Sequence, residues 1–168
     1  MVDTNGLIGA ARPLLGENNK GAPNQTRLGR AVSTAYYALF HGVTRSASDS
    51  FVGAKHRQSP RYETVYRGLE HRRMKEGCAA VNKPTLGAKV SKALGAANAS
   101  QEIRDVANAF VKLQKRRHWA DYSPAGKITR TQARDLVDLA AFAIGQLAAA
   151  NTEERRNFLA YLMLAVRV

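Results

Sequence analysis

Apolar residues recur at intervals of three and four along most of the chain, which is the pattern of amphipathic helices. The clearest stripe predicts one long helix, and its members are Leu28, Ala31, Val32, Ala35, Leu39 and Val43. No comparable stretch alternates apolar and polar residues, so we expect no sheet. The pattern therefore predicts an all-α protein, built as a bundle of about five to six helices.

The boundaries of the other helices follow from capping and helix-breaking residues. A second helix is predicted over residues 60–77, because proline is favoured at the first helical position and Gly77 is a plausible end. A third spans about 103–122 and ends there because Pro124 disfavours helical geometry in the residue before it. A fourth begins after Thr129. A fifth follows Thr152, a predicted N-cap with acidic residues in the next turn.

Two segments have weaker patterns. Residues 1–22 predict a further helix, which Pro13 would bend or break if it lay in the helix interior. Residues 81–100 are rich in Gly, Ala, Asn and Lys and predict a loop with one short helix over 86–94. No internal repeat or linker divides the chain, so residues 1–168 are expected to form a single domain.

The charge of the chain indicates what kind of partner it binds. Lys and Arg number 26 against 13 acidic residues, for a net charge of +13. Residues 51–100 hold ten basic and three acidic residues, the largest excess along the chain. On one continuous helix, Arg61, Arg72 and Lys75 would share roughly one face. A polyanion is therefore the first partner to consider.

Cysteine content and hydropathy bear on location and cofactors. Cys78 is the only cysteine, so no disulfide can form within the chain, and thiolate metal sites need several ligands. The first residues lack the positive charge that begins a signal peptide, and no apolar run approaches the ~18 residues of a spanning helix. We therefore expect a cytoplasmic protein with no membrane partner, no cofactor and no metal site.

Two short strings carry more than composition. The first, AVSTAYYALFHGV at residues 31–43, places Tyr36 and Tyr37 side by side, so one is expected to pack and the other to reach a polar partner. The second, KLQKRRHWADYSP at residues 112–124, gathers cationic, aromatic and acidic groups within about two turns. Arg117 and Asp121 are four residues apart in it and can pair on one helix face.

At these strings the chain resembles the HEPN superfamily, an all-helical group that includes RNA-cleaving toxins, phage-defence factors and partners of minimal nucleotidyltransferases. Residues 35–41, Ala-Tyr-Tyr-Ala-Leu-Phe-His, are similar to the small-Tyr-Tyr-Ala-Met-Phe-His string of one branch. Arg117-x-x-Ala120-Asp121-Tyr122 is similar to that branch's Arg-x-x-Ala-Asp-Tyr string. The likeness covers most of the chain from about Gln25 onward.

The resemblance implies a two-fold homodimer with a polar cleft on its axis. In the nuclease members that cleft holds Arg, four to six residues, then His, and cleaves RNA without a metal ion. A basic group there activates the ribose 2′-OH, and arginine stabilises the charge on phosphorus. This chain departs from the motif, since no histidine follows Arg116 or Arg117 at that spacing. His118 follows directly instead, and Lys112-x5-His118 has the right length with lysine in place of arginine.

The residues expected to act are drawn from this comparison. The candidate catalytic residues are Arg117, His118, Asp121 and Tyr122. The candidate nucleic-acid-binding residues are Lys112, Lys115, Arg116, Arg72, Arg73 and Lys75. His118 can equally be a surface or stacking histidine, and the Lys-Arg cluster can be a solvated helix end that the helix dipole favours. His41 and His71 are weaker candidates, and Trp119 fits a core or dimer contact better than a base-stacking platform.

Two classes of function follow. The first is a HEPN-like RNA-binding protein that acts as an atypical or weakened metal-independent endoribonuclease in a toxin–antitoxin or phage-defence setting. The alternative is a non-catalytic, antitoxin-like interaction module whose partner is another protein, such as a nucleotidyltransferase or an antitoxin. A third interpretation takes the charge as unspecific association with ribosomes or the nucleoid, which would weaken steeply with salt.

Overall fold

The structure is a computed structural model that describes residues 2–16, 24–122 and 127–164, with Tyr122 described by its backbone alone. All its regular elements in these ranges are helical, as the apolar spacing predicts. The helices are α1 (Thr4–Leu14), α2 (Gln25–Phe51), α3 (Pro60–Arg67), α4 (His71–Val81), α5 (Ala88–Leu94), α6 (Gln101–Tyr122), α7 (Arg130–Ala149) and α8 (Thr152–Leu164). A short 3-10 turn at Ala54–His56 separates α2 from α3.

The eight α-helices of the described chain exceed the predicted five to six, and the clearest error lies in residues 60–77. One helix is predicted there, but α3 ends at Arg67 and α4 begins at His71. Gly68 disfavours helix continuation, Glu70 adopts extended geometry, and Leu69 between them is buried. Because the helix is interrupted, the basic face predicted from its continuity does not form.

α4 also continues past its predicted end at Gly77, for a packing reason. A Cβ atom at this position would lie 2.7 Å from Leu162 Cδ2 on α8. Gly77 is therefore a point of close helix contact rather than a helix end. Glycine within a helix costs up to about 1 kcal/mol relative to alanine, and here it allows α4 and α8 to approach.

The long helix α2 forms the centre of the bundle. It packs against α1, α3, α6 and α7. Its small residues Ala31, Ala35 and Ala38 are fully buried, so neighbouring helices approach its backbone closely. Phe110 of α6 and Phe158 of α8 complete the core around it. Every element that lines the site described below is packed directly or indirectly on α2.

The ends of the helices agree in part with the predicted caps. α1 ends one residue after Pro13, so the proline lies in its last turn, and residues 17–22 of the predicted N-terminal segment fall outside the described residues. Thr129 caps α7 through a reciprocal capping box with Gln132. Pro124 also falls outside the described residues.

At α8 the structure corrects the predicted cap. The Asn151 side chain accepts hydrogen bonds from the backbone N–H groups of Glu153 and Glu154, at 2.9 and 3.3 Å. Asn151 therefore occupies the capping position that the sequence assigns to Thr152. The acidic residues remain in the first turn, where the helix dipole favours them.

We expect Asn151→Ala to lower the free energy of unfolding by about 1 kcal/mol, because two backbone donors lose their acceptor. Urea unfolding followed by circular dichroism measures the change. Thr152→Ala is the matched control and should alter stability by less than half as much. Equal losses in the two variants would contradict the assignment of the cap.

None of the described helices is both long and apolar enough to cross a membrane.

Candidate functional site

Two reciprocal tyrosine–histidine hydrogen bonds mark a cleft beside α2. The Tyr36 hydroxyl of α2 lies 2.6 Å from Nδ1 of His71, the first residue of α4. The Tyr66 hydroxyl, near the end of α3, lies 2.8 Å from Nδ1 of His41 on α2. Each hydrogen bond fixes the orientation of one imidazole. Tyr66 before the interruption and His71 after it thus each contribute one member of a tyrosine–histidine pair.

Aromatic rings hold the two imidazoles next to each other. The ring of His71 stacks on Phe40, with centroids 3.9 Å apart, and His41 meets the edge of the same phenylalanine at 5.4 Å. The Tyr37 ring contacts both imidazoles, at centroid distances of 6.2 Å to His41 and 6.1 Å to His71. Both histidines are half-buried, so they are held in place yet keep access to solvent.

Arg117 of α6 brings a positive charge to the same cleft. Its guanidinium carbon lies 5.2 Å from the centre of the Tyr37 ring and 5.7 Å from that of Tyr36, which are cation–π distances. Asp121 accepts from Arg117 Nε at 2.9 Å, as the four-residue spacing predicts, and from the Ser33 hydroxyl at 2.7 Å.

The Asp121 carboxylate engages only one edge of this guanidinium. The two terminal nitrogens of Arg117 have no hydrogen-bond partner among the residues that the structure describes. The side chain is 22% exposed, so it is oriented by its neighbours and still reachable. A guanidinium held in this way has free donors for a phosphate group.

The tyrosine pair departs from the expected division of roles. Tyr36 is 0% exposed and also makes the polar contact with His71. The same residue therefore both packs in the core and reaches a polar partner. Burial raises its pKa well above the ordinary value, against the opposing effect of the Arg117 charge. Tyr36 is therefore a neutral hydroxyl at physiological pH. Tyr37 is half-buried and supplies a ring face to Arg117.

Both imidazoles favour the neutral form. Burial lowers the pKa of His71, and the charge of Arg117 and the proximity of His41 lower it further. Burial also lowers the pKa of His41. Neutral imidazole has two tautomers, and the tyrosine partner is compatible with both. When Nδ1 donates to the tyrosine oxygen, Nε2 is free to accept a proton, and when the hydroxyl donates to Nδ1, Nε2 carries one.

These lowered pKa values predict a dependence of stability on pH. The unfolded histidines titrate near the ordinary value of about 6.5, so below that pH the unfolded chain binds more protons than the folded one. The histidine contribution to stability is complete above about pH 6.5 and is lost as pH falls toward the folded-state pKa values.

We therefore expect the thermal unfolding temperature to fall between about pH 7 and pH 5, as differential scanning fluorimetry would measure. The double variant with His41→Gln and His71→Gln should show a smaller slope over that interval. His56→Gln, on the 3-10 turn, is the control. An unchanged slope in the double variant would show that the cleft histidines do not cause the effect.

An unsatisfied acceptor lies beside the cleft. The Gln114 side chain donates to the backbone carbonyl of His71 at 3.1 Å, which ties α6 to the start of α4. Its Oε1 atom is buried and has no hydrogen-bond partner in the described part of the protein. A buried acceptor of this kind is usually satisfied by water or ligand.

The residues predicted on α6 divide between the cleft and the surface. Arg117 is half-buried and pairs in the cleft with Asp121, which is itself exposed. Lys112, Lys115, Arg116 and His118 are also exposed. His118 is rotated about 100° around the helix from Arg117, so the two side chains leave α6 in different directions. The side chain of Tyr122 lies outside the described residues. Trp119 is half-buried against the core, with Arg116 over its ring at 6.0 Å.

The basic residues predicted on α4 lie away from these contacts. Arg72 pairs with Glu76 at 2.9 Å, and Arg73 pairs with Glu70 at 3.3 Å. Both are exposed, and Lys75 is half-buried. Their charge is thus partly offset by neighbouring acidic residues.

His41 and His71 are weaker candidates by sequence alone, and the sequence pattern predicts no role for Tyr66. The arginine that lies near His71 is Arg117, which comes from another helix. Only the packing of α3, α4 and α6 on α2 brings these side chains together. The adjacent tyrosines and the spacing of Arg117 and Asp121 were the local indications of where the cleft forms.

Searches of protein-family models, of curated proteins and of solved structures found no match to this chain. The described residues also contain no group of three His, Cys, Asp or Glu side chains placed to hold a metal ion. The function is therefore argued from the geometry of the cleft.

Proposed function

We propose that the protein binds RNA in this cleft and cleaves it by acid–base chemistry. The observation that carries the proposal is the placement of two oriented imidazoles beside a guanidinium whose terminal donors have no partner among the described residues. Cleavage of an RNA phosphodiester needs a base for the 2′-OH, an acid for the leaving 5′-oxygen and a positive charge at phosphorus. His71, His41 and Arg117 match these three requirements.

In this mechanism His71 is the base, because the adjacent Arg117 charge disfavours its protonated form. It takes the proton of the ribose 2′-OH, and the 2′-oxygen attacks phosphorus. Arg117 stabilises the negative charge on the phosphoryl oxygens. The bond from phosphorus to the 5′-oxygen breaks, and His41, in its protonated imidazolium form, gives that oxygen a proton. The products are a 2′,3′-cyclic phosphate and a free 5′-hydroxyl.

The resemblance to the HEPN superfamily supports the same substrate class and adds a homodimer to the proposal. Here the arginine and histidine come from α6 and α4 rather than from one motif on one helix. The net charge of +13 supports RNA as the partner, since contacts from Lys and Arg to phosphates provide affinity independent of sequence.

The proposal is tested by incubating purified protein with a labelled RNA oligonucleotide in EDTA and identifying the product ends. We expect cyclic-phosphate ends, and no cleavage of a matched oligonucleotide that carries 2′-O-methyl groups throughout. Intact RNA after prolonged incubation at several pH values would overturn the catalytic part. Cleavage of the 2′-O-methyl strand would overturn the mechanism.

A second candidate, the non-catalytic interaction module, is supported by exposed aromatic residues. Phe142 on α7 is 50% exposed and Phe51 at the end of α2 is 46% exposed. Large exposed apolar side chains are common in protein interfaces. Light scattering of the purified protein measures whether it is a dimer, and Phe142→Ser tests whether α7 contributes to that contact.

A further inference from the structure

A groove rich in arginine lies beyond His41 along α2. It has a volume of about 450 Å³ and is formed by α2, the end of α7 and the start of α8. We call it the arginine groove and define it by its charged lining residues, which are Arg45, Asp49, Arg57, Arg155 and Arg156. Four cations and one carboxylate give this small volume an excess of positive charge.

The one carboxylate in the groove is already engaged. Asp49 accepts two hydrogen bonds from Arg57, at 3.0 and 2.6 Å, and a third from the Tyr62 hydroxyl at 2.8 Å. These contacts hold the pKa of Asp49 below its ordinary value despite its partial burial. Arg45 reaches it only at 3.9 Å. Arg45 and Arg57 therefore share this single carboxylate, which cannot balance the charge of both.

Arg155 is held rigidly at the edge of the groove. Its Nη1 donates to the carbonyls of Leu147 and Ala148 at 3.2 and 3.0 Å, which offsets the negative end of α7. Its Nε is buried and has no hydrogen-bond partner within the described chain. Arg156 beside it is exposed and has no ion-pair partner among the described residues. The cations that the groove presents to solvent are therefore Arg45 and Arg156.

The arginine groove is linked to the cleft by side-chain contacts. Tyr62, which donates to Asp49, stacks on Tyr66 with ring centroids 6.4 Å apart, and Tyr66 is the partner of His41. Arg45 also follows His41 by one turn of α2, a rise of about 6 Å. Residues four apart turn by about 40° around the helix. A strand that leaves the cleft past His41 therefore reaches Arg45 by curving around α2 toward α8.

We propose that the arginine groove binds the sugar–phosphate backbone of RNA adjacent to the nucleotides held in the cleft. The proposal rests on the proposed function for its ligand, because it takes the same strand to both places. The cleft then holds the phosphate that reacts, and the arginine groove adds affinity for substrates long enough to reach it. Length of the RNA, rather than its base sequence, is the property that this groove recognises.

The test compares RNA binding by a dinucleotide and by a longer oligonucleotide, both 2′-O-methylated so that cleavage cannot interfere. Fluorescence anisotropy in EDTA over a series of salt concentrations gives the affinity and its salt dependence. The groove variant carries Arg45→Gln and Arg156→Gln, which avoids Arg57 and Arg155 because these side chains stabilise the fold. The control variant carries Lys89→Ala and Lys92→Ala, which removes the same charge from the exposed face of α5.

We expect the groove variant to bind the longer strand at least about tenfold more weakly, with a salt slope smaller by about 1.4, the value for two lost contacts to a single strand. Its dinucleotide affinity should stay within about twofold, and the control variant should retain most of its affinity for the longer strand. Equal weakening for both lengths, equal weakening in the control, or no weakening would overturn the proposal, as would absence of RNA binding by the unmodified protein.

The same proteins separate this proposal from the proposed function. If the groove variant loses affinity for the longer strand but the unmodified protein cleaves no RNA, the groove assignment stands and the catalytic one fails. If the unmodified protein cleaves RNA and the groove variant binds the longer strand normally, the catalytic assignment stands and the groove assignment fails.

Discussion

Arg117→Ala is expected to lower kcat/KM for RNA cleavage by about 10²–10³-fold, the loss typical of removing one donor that stabilises transition-state charge. The reason is geometric: Asp121 occupies Nε and the tyrosine rings fix the plane, so the terminal nitrogens are the free donors of the cleft. Arg117→Lys should restore only part of the loss, because an ammonium group cannot bind phosphate through two parallel hydrogen bonds. Single-turnover cleavage in EDTA gives the rates.

Arg12→Ala is the matched control for this experiment. Arg12 forms an exposed ion pair with Asp138 at 2.8 Å, so the variant also breaks one Arg–Asp pair, at a place outside the cleft. Its cleavage rate should stay within about twofold of the unmodified protein, since exposed pairs contribute about 0–1 kcal/mol to stability. A full rate in Arg117→Ala, with the fold intact by circular dichroism, would show that Arg117 does not stabilise the transition state.

His71→Gln is expected to reduce the cleavage rate by about 10²–10⁴-fold, the usual contribution of a positioned general base. The pH profile gives a second readout. The pKa values of both His71 and His41 are lowered, so the rate of the unmodified protein should be greatest below about pH 6.5. The acidic limb, which reports protonation of the base, should disappear in the variant.

His118→Gln separates this mechanism from the one based on the α6 sequence. It should leave the maximal rate and the acidic limb of the profile in place, because His118 leaves α6 in a different direction from Arg117. A large loss in His118→Gln together with full activity in His71→Gln would show that the reaction takes place at the exposed surface of α6.

Tyr36→Phe tests whether Tyr36 positions His71. It should shift the pH profile, because Nδ1 of His71 loses its hydrogen bond to the Tyr36 hydroxyl.

The sequence predicted the parts of this protein that depend on neighbouring residues. Periodicity located α2, α6 and α7, and the i to i+4 spacing predicted the ion pair of Arg117 with Asp121. It did not predict the interruption after Arg67, because Gly68 weakens a helix without excluding it. The choice between one helix and two depended on burial of Leu69, which is a tertiary effect.

The residues of the cleft were likewise predictable only where they are close together in the sequence. The adjacent tyrosines and the Arg-x-x-Ala-Asp string were visible locally, so α2 and α6 could be chosen as its walls. The proximity of His71 to Arg117 could not be predicted, because the two residues are 46 positions apart in the chain. Packing around Tyr36 and Tyr37 brings them together. The histidine next to Arg117 in the sequence is His118, but its side chain leaves α6 in a different direction.

The interruption between α3 and α4 has a further electrostatic effect. It makes His71 the first residue of a helix, where the unpaired N–H groups carry about half a positive charge. An anion that approaches this imidazole meets a favourable field from the peptide backbone, and a proton on the same ring meets an unfavourable one. Three residues without helical structure thus create a helix end whose field favours anions and favours the neutral form of its own histidine.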